Sequence, residues 1–238
     1  MKNADFQYPG DELVLFQYAR NWKKYFAGAL KPFIKGRVLE AGAGIGSTTS
    51  LLYNSAINDW LLLEPDADMS HQLQTKIREG LLPSAGRVQT GTLADVLEKF
   101  DCIIYVDVLE HIEMDDAELA MAAERLLPGG YLLVLSPAFQ HLFSPFDTAI
   151  GHFRRYTKKS LRALTPATLQ PVSCRYYDST GYLAALTNKL LLRQQYPTVK
   201  QVLFWDRWLV PVSRFTDKLL FHSFGKSIIG VWKKSPAE

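Results

Sequence analysis

Three glycines at alternating positions, Gly42, Gly44 and Gly46, follow a short apolar segment that ends in Glu40. Glycine tolerates positive φ angles and lets a ligand approach the backbone without a Cβ in the way. The pattern therefore predicts a loop that binds a nucleotide-like cofactor. A dinucleotide-binding loop, G-x-G-x-x-G, would place its third glycine at position 47, which is a serine here. This difference in spacing disfavours a nicotinamide-dependent reductase.

A second group of reactive side chains, Asp107, Glu110 and His111, follows an almost wholly apolar segment. Their i, i+3 and i+4 spacing places them near one face if the chain turns helical at this point. His111 is then a candidate base that deprotonates a phenol or hydroxyl. The structural alternative is that Glu110 and His111 hold the turn by hydrogen bonds.

The segment His152–Tyr156 combines a histidine with two adjacent arginines. An arginine pair can clamp a carboxylate or phosphate through bidentate hydrogen bonds. We expect this segment to form part of an acceptor site, with Arg154 or Arg155 on an anionic group, Tyr156 beside them and His152 near the reacting atom. The alternative is a salt bridge to Asp147 and the start of a helix at Thr157.

The elements that must position these groups are apolar segments that alternate with helical patterns. Five segments are read as strands: the run before the glycine loop, Asn58–Asp66, Arg87–Val96, Phe100–Ile112 and Leu126–Ala138. Such alternation requires right-handed crossovers and predicts a doubly wound parallel sheet. Two later strands are predicted over Val172–Ser179 and Gly225–Lys234.

Glu64 ends the second strand, about 20 residues after the glycine loop, where an acid can accept both hydroxyls of a ribose. The alternative is a surface acid before a turn. Helices are predicted over residues 11–30, with Leu13, Trp22 and Phe26 on one face, and after Asp115, which forms a capping-box pattern with Glu118.

Residues 179–223 depart from this alternation, because they are rich in Leu, Phe and Trp with interspersed basic residues. One interpretation is a pair of helices that pack on the core or on a second copy in a homodimer. The others are an apolar acceptor pocket and a peripheral membrane contact, since mixed aromatic and basic surfaces favour interfaces.

Composition excludes several classes of protein. The chain has 238 residues, 47% of them hydrophobic, which is enough for one large α/β domain. A net charge of +3 is too small for a nucleic-acid binder. Cys102 and Cys174 show no metal spacing, no segment approaches a membrane span and the first residues are polar, so we expect a cytoplasmic protein.

In order and in letters, these segments resemble the motifs of class I S-adenosylmethionine-dependent methyltransferases, whose first motif reads E-x-G-x-G-x-G. The resemblance is tight over residues 36–138 and looser elsewhere. It implies a Rossmann-like sheet of seven strands with strand seven antiparallel and a helical insert before it. The cofactor contacts that it implies come from Glu40, Gly42, Gly44, Gly46, Glu64, Thr92, Leu93 and Asp107.

On this plan, residues 1–35 form a helical lid, 36–178 the cofactor-binding core, 179–223 the insert and 224–238 the last strand and tail of a single domain. Asp107, His111 and His152 are the expected catalytic residues. The letters D-x-x-E-H also resemble the metal-binding segment of some O-methyltransferases, which implies a divalent ion on Asp107, Glu110 and His111, with a fourth ligand from His141 or His152.

The GH-x-RRYT loop and a later F-G-K-S segment resemble a bacterial subgroup that tailors lipids, glycans or polyketide-like metabolites, a setting of secondary metabolism. We therefore expect methylation of oxygen, or of a carbon ortho to a phenol, on a small or carrier-bound acceptor that is aromatic or hydroxylated. The alternatives are a non-catalytic subunit that binds the cofactor, and the nicotinamide-dependent reductase.

Overall fold

A single seven-stranded sheet organises the computed structural model, which describes residues 15–192 and 196–236. Its strands are β1 Gly36–Ala41, β2 Ile57–Glu64, β3 Gly86–Thr90, β4 Phe100–Val106, β5 Leu126–Pro137, β6 Leu169–Tyr177 and β7 Ser227–Lys234. The strand order is β3-β2-β1-β4-β5-β7-β6. Strands β1 to β5 pair in parallel, and β7 is antiparallel to both β5 and β6. The predicted Rossmann-like class I methyltransferase fold is confirmed.

Helices cover both faces of the sheet and also form the insert. The described ones are α1 Arg20–Leu30, α2 Thr49–Leu52, α3 Ala67–Arg78, α4 Asp115–Arg125, α5 Pro145–Ala149, α6 Lys158–Ala163, α7 Ser179–Thr187, α8 Val199–Phe204 and α9 Val210–Leu219. Two π-helical segments, Asn188–Leu192 and Trp205–Leu209, follow α7 and α8. The predicted first helix began at residue 11; its first part, with Leu13, lies outside the described residues.

The central strands are apolar on both faces because neighbouring residues enter two different cores. In β5, Leu133 packs in the core that contains Trp22 and Phe26 of α1. Its neighbour Leu132 packs on the other face with Leu119 of α4. A parallel sheet covered on both sides needs such continuous hydrophobic strands, which is why the sequence pattern identified them.

Buried acids fasten the insert to the rest of the molecule. Asp206 accepts hydrogen bonds from the backbone amides of Asn21 (3.0 Å) and Trp22 (2.8 Å) in the first turn of α1. Asp217 accepts from the amides of Asp178 (2.7 Å) and Ser179 (2.9 Å) where α7 begins. Both carboxylates thus satisfy helix amides that would otherwise be buried without a partner.

The predicted capping box at Asp115 and Glu118 is wrong. Helix α4 begins at Asp115 itself, after Met114, which makes no side-chain cap. The Asp115 carboxylate instead accepts from the Tyr156 hydroxyl at 2.8 Å, and Glu118 accepts from the Tyr105 hydroxyl at 2.7 Å. Both carboxylates therefore bind tyrosine hydroxyls that are distant in the sequence and do not cap the helix.

Both cysteines are free and buried, as expected for core residues. Within the described part of the chain, none of the helices combines the length and the apolar character needed to cross a bilayer.

Candidate active site

A cavity of about 1290 Å³ opens at the carboxyl ends of the parallel strands. Its floor includes the glycine loop, Glu64 and Asp107, and its roof includes Trp22 and Phe26 of α1 and Trp205 of the insert. In a doubly wound sheet this edge is where ligands bind, because the strand order reverses there between β1 and β4.

The glycine loop needs its glycines for their backbone angles. Gly42, Gly44 and Gly46 have φ values of 64°, 56° and 75°, which L residues with a side chain rarely adopt. A Cβ on Gly46 would lie 2.9 Å from carbons of Leu73 and Leu82, so the loop also packs tightly on its neighbours.

Glu64 and the glycine loop are joined directly. The Glu64 carboxylate accepts from the Gly44 amide (2.8 Å) and from the Asp66 amide (3.0 Å). Burial raises the pKa of Glu64, and these two amides partly offset that rise. The acid therefore lies beside the loop at the cavity wall, where a ribose would meet it.

Of the predicted cofactor residues, those that line the cavity are Gly42, Gly44, Glu64, Thr92, Leu93 and Asp107. Glu40 and Gly46 are not among the described lining residues. Glu40 is buried and accepts hydrogen bonds from the hydroxyls of Thr48 (2.9 Å) and Thr49 (3.0 Å), so it braces the loop from behind. Burial raises the pKa of Glu40 to about 7.

His152 stands at the cavity wall in a fixed orientation. Its Nδ1 lies 2.9 Å from Oδ1 of Asp147, a fully buried carboxylate. Arg155 donates to both Asp147 oxygens, at 2.8 and 2.9 Å. Burial alone would raise the pKa of Asp147, but His152 and Arg155 outweigh it and hold that pKa well below its usual range. An ionised Asp147 requires His152 Nδ1 to carry the proton, which leaves Nε2 as the acceptor.

His111 and Glu110 adjoin His152. The rings of His111 and His152 meet edge to face with centroids 4.5 Å apart, and both histidines line the cavity. Burial, followed by the neighbouring His152, lowers the pKa of His111 to about 4, so His111 is neutral at pH 7. Glu110 is fully buried, and burial followed by the charge of Asp107 raises its pKa well above the usual value. Both Glu110 carboxyl oxygens lack a hydrogen-bond partner among the described residues.

The structure changes the set of residues that could hold a metal. Glu110, His111 and His152 bring one ligand atom each to within 4.8 Å of one another. Asp107, predicted as a ligand, is not in this group of described residues. His141, one of the two predicted fourth ligands, lies instead 3.0 Å from the Tyr182 hydroxyl. An imidazole pair with one carboxylate suits Zn²⁺ or Mn²⁺.

The two arginines are separated in space. Arg155 lines the cavity while it holds Asp147. Arg154 pairs with Asp115 at 2.6 Å, and Tyr156, 1% exposed, donates to the same carboxylate; neither is among the described lining residues. Of the three predicted acceptor residues, Arg155 alone is among the described lining residues, whereas Arg154 and Tyr156 tie the loop to α4; contact of Arg155 with an acceptor stays a prediction.

Of the four lysines among the described lining residues, Lys23 and Lys226 lie deepest, and the sequence analysis assigned no role to either. Lys23 is 8% exposed, and burial lowers its pKa although Asp107 and then Asp206 partly restore it. Lys226 Nζ lies 3.7 Å from the ring centroid of Trp205. Lys23 carries a weak signal in the sequence, because it adjoins Trp22 on the buried face of an amphipathic helix; Lys226 carries none beyond the F-G-K-S letters.

A family model described as a methyltransferase domain matches residues 15–168, nearly two thirds of the chain. The chain belongs to this methyltransferase family. Its members transfer the methyl group of S-adenosylmethionine, so the protein is an S-adenosylmethionine-dependent methyltransferase and not the nicotinamide-dependent reductase considered above. No curated protein matches the chain significantly.

Solved structures share the fold of this methyltransferase at low sequence identity. A geranyl diphosphate methyltransferase in complex with S-adenosylmethionine superposes with a TM-score of 0.63 at 12% identity over 98% of this chain and 94% of the other. The [4+2]-cyclase SpnF superposes with a TM-score of 0.62 at 15% identity over 91% of this chain and 81% of the other. An S-adenosylmethionine-dependent methyltransferase from Clostridium acetobutylicum superposes with a TM-score of 0.58 at 11% identity over 98% of this chain and 94% of the other.

The polar groups that line the methyltransferase cavity fit S-adenosylmethionine. A glycine loop with positive φ angles exposes backbone to the cavity, and the buried Glu64 stands where ribose hydroxyls could donate to it. Lys23 would be the group to pair with the carboxylate of the methionine part.

Proposed function

We propose that this methyltransferase transfers methyl to an oxygen of an aromatic or hydroxylated acceptor, free or on a carrier, with His152 as the base. The observation that carries the proposal is the Asp147–His152 pair on the wall of the cavity that Gly44, Glu64 and Asp107 also line. Carbon ortho to a phenol is the second acceptor atom, because the same deprotonation activates it.

The chain's own groups prepare the acceptor. Bound S-adenosylmethionine supplies a methyl group on a sulfonium that is already a good leaving group. His152 Nε2 accepts the acceptor's hydroxyl proton, and Asp147 stabilises the imidazolium that forms. Asp107 orients the reactants near the end of β4, Arg155 faces an anionic part of the acceptor, and neutral His111 packs against the His152 ring. Phe16, Phe143 and Phe146 offer the apolar wall that an aromatic acceptor requires.

A second candidate uses the same residues as metal ligands. Glu110 favours it, since two buried carboxyl oxygens without a described hydrogen-bond partner destabilise the protein unless a cation or proton satisfies them, and one of them lies 3.8 Å from His152 Nε2. Glu110, His111 and His152 would hold the ion, which would polarise the acceptor hydroxyl.

Formation of S-adenosylhomocysteine from S-adenosylmethionine in the presence of each member of a panel of phenols and catechols tests both candidates. His152→Gln should lower kcat about 10²–10⁴-fold with little change in cofactor affinity, whereas His71→Gln, at an exposed helix position, should change neither. Chelator-treated wild-type enzyme should keep its activity if His152 is the base. Loss on chelation with restoration by Zn²⁺ or Mn²⁺, together with an inactive Glu110→Gln variant, would establish the metal candidate instead.

A wild-type protein that binds S-adenosylmethionine and yields no product with any acceptor would favour a non-catalytic subunit. Unchanged kcat in His152→Gln would exclude the base. We place the reaction in the cytoplasm and in the tailoring of lipids, glycans or polyketide-like metabolites, since the loop around His152 resembles that subgroup.

A further inference from the structure

The outer face of the α8–α9 segment carries an exposed apolar stripe. The residues of its inner face are buried: Val202, Asp206, Val210, Ser213 and Asp217. Two positions after each of them stands an exposed apolar residue: Phe204, Trp208, Val212, Phe215 and Leu219. Two residues correspond to about half a helical turn, so the stripe points directly away from the core.

The charges of the same segment are divided between the two faces by sign. Its two acids, Asp206 and Asp217, are buried and bonded to backbone amides. Its four cations are exposed: Lys200, Arg207, Arg214 and Lys218. The surface made by the stripe and these cations, here called the outer face, is thus apolar and purely basic within the described residues 199–219.

We propose that the outer face docks on the surface of an anionic lipid bilayer. A helix with aromatic and aliphatic residues flanked by lysine and arginine lies in the plane of a bilayer, with its apolar side among the acyl chains and its cations on the headgroups. A second copy is a poorer occupant, because a twofold contact through this face would bring its cations close to those of the partner, with no exposed acid of residues 199–219 to neutralise them.

The outer face also adjoins the mouth of the methyltransferase cavity. Tyr196, Lys200 and Phe204 are exposed and line the cavity as well. A docked enzyme would therefore receive an acceptor with an acyl or prenyl part directly from the bilayer. This part of the inference rests on the proposed function, whereas the docking itself does not.

Sedimentation of the full chain with vesicles tests the docking. We expect binding to phosphatidylcholine vesicles that contain phosphatidylglycerol, little binding to phosphatidylcholine alone, and weaker binding as salt rises. The combined variant Trp208→Ala, Phe215→Ser and Leu219→Ser should have an affinity for the anionic vesicles at least about tenfold lower than that of the wild type. Its matched control, Leu81→Ser, Leu97→Ser and Met114→Ser, removes three exposed apolar residues elsewhere and should bind like the wild type.

A charge variant separates the two contributions. Arg207→Gln with Lys218→Gln should lower binding only to the anionic vesicles, and Lys24→Gln with Lys159→Gln should not. Cofactor affinity, measured by calorimetry without vesicles, should be the same in all four variants as in the wild type. An unchanged affinity shows that a variant is correctly folded.

No binding of the wild type to anionic vesicles, or equal binding by the stripe variant, would overturn the proposal. A wild-type dimer in light scattering that the stripe variant dissociates, without vesicle binding, would show that the outer face joins two copies. Failure of methyl transfer to soluble phenols leaves the vesicle result untouched, so the two proposals fail separately.

Discussion

At the residue scale, buried acids decide how this methyltransferase site is held. Asp147 remains ionised because five donors surround it: Nδ1 of His152, Nε and Nη2 of Arg155, and the amide and hydroxyl of Ser144. The described donors to Glu40 and Glu64 are neutral hydroxyl and amide groups. His152 and the charged Arg155 therefore lower the pKa of Asp147 despite its burial, whereas burial outweighs the neutral donors of Glu40 and Glu64 and raises the pKa of both.

Glu40 makes the stability of the enzyme depend on pH. Its folded pKa of about 7 lies above the ordinary value of 4.5, so folded Glu40 retains a proton that the unfolded chain releases, and stability falls as pH rises from about 4.5 to 7. A glutamine at this position does not titrate. The free energy of unfolding of Glu40→Gln relative to wild type should therefore rise by up to about 3 kcal/mol over this window, on top of a constant offset.

Urea unfolding at closely spaced pH values measures this difference. Exposed Glu79→Gln is the control and should track the wild type at every pH. If the difference between wild type and the Glu40→Gln variant stays constant from pH 4.5 to 7, folding does not raise the pKa of Glu40.

At the element scale, the roof of the cavity is held together by capping across the chain. Ala19, at the N-terminal boundary of α1, offers no capping side chain, and Asp206 takes its place from 184 positions away, at Trp22. The insert therefore completes the N-terminal helix as well as covering the cavity.

Asp206→Ala should destabilise the enzyme by about 2 kcal/mol, because the buried amide of Trp22 and the half-buried amide of Asn21 lose their acceptor. Hydrogen exchange of the amides of Asn21 and Trp22 should accelerate with it. Asp206→Asn keeps one acceptor oxygen, so its stability should lie between those of the wild type and Asp206→Ala. The exposed variant Asp68→Ala is the control. If Asp206→Ala unfolds at the same urea concentration as the wild type, Asp206 does not stabilise the start of α1.

The elements that could be predicted are those with a local cause. Apolar runs gave the strands, and alternating glycines with Glu64 gave the cofactor side, because the fold repeats that local chemistry. Asp115 and Asp147 show where locality ends. Asp115 fits a local capping pattern, yet its partners are Tyr156 and Arg154. The salt bridge to Asp147 that the sequence predicts as an alternative is formed by Arg155, but the contact of Asp147 with His152 was not predicted, because only the folded loop brings the two together.

At the scale of the whole molecule, ligand binding should report on the family assignment. S-adenosylmethionine at 100 times its Kd should stabilise the enzyme by about 2.7 kcal/mol, because it binds only the folded chain. NADPH should not. The contrast is a demanding one, since Tyr196 and Lys200 have the Tyr-x-x-x-Lys spacing of reductases and both line the cavity.

Thermal unfolding with each ligand measures this effect. Glu64→Ala should lose about 1–3 kcal/mol of cofactor affinity through its missing ribose contacts and shift less at the same concentration, while Glu79→Gln should behave like wild type. An equal shift with NADPH, or a full shift in Glu64→Ala, would contradict the assignment of the cofactor site.

The position of β7 between β5 and β6 has a consequence for biosynthesis. Its 89-residue separation from β5 means that the hydrogen-bonding edge of β5 leaves the ribosome long before its partner. At ordinary translation rates the delay is roughly 5–20 s. Throughout that time the backbone donors and acceptors along Tyr131–Pro137 lack the partner that β7 supplies, and β6, which pairs only with β7 in the described sheet, has no neighbour at all. The insert with its exposed apolar stripe emerges during the same interval, so we expect the nascent chain to be most prone to aggregation at this stage.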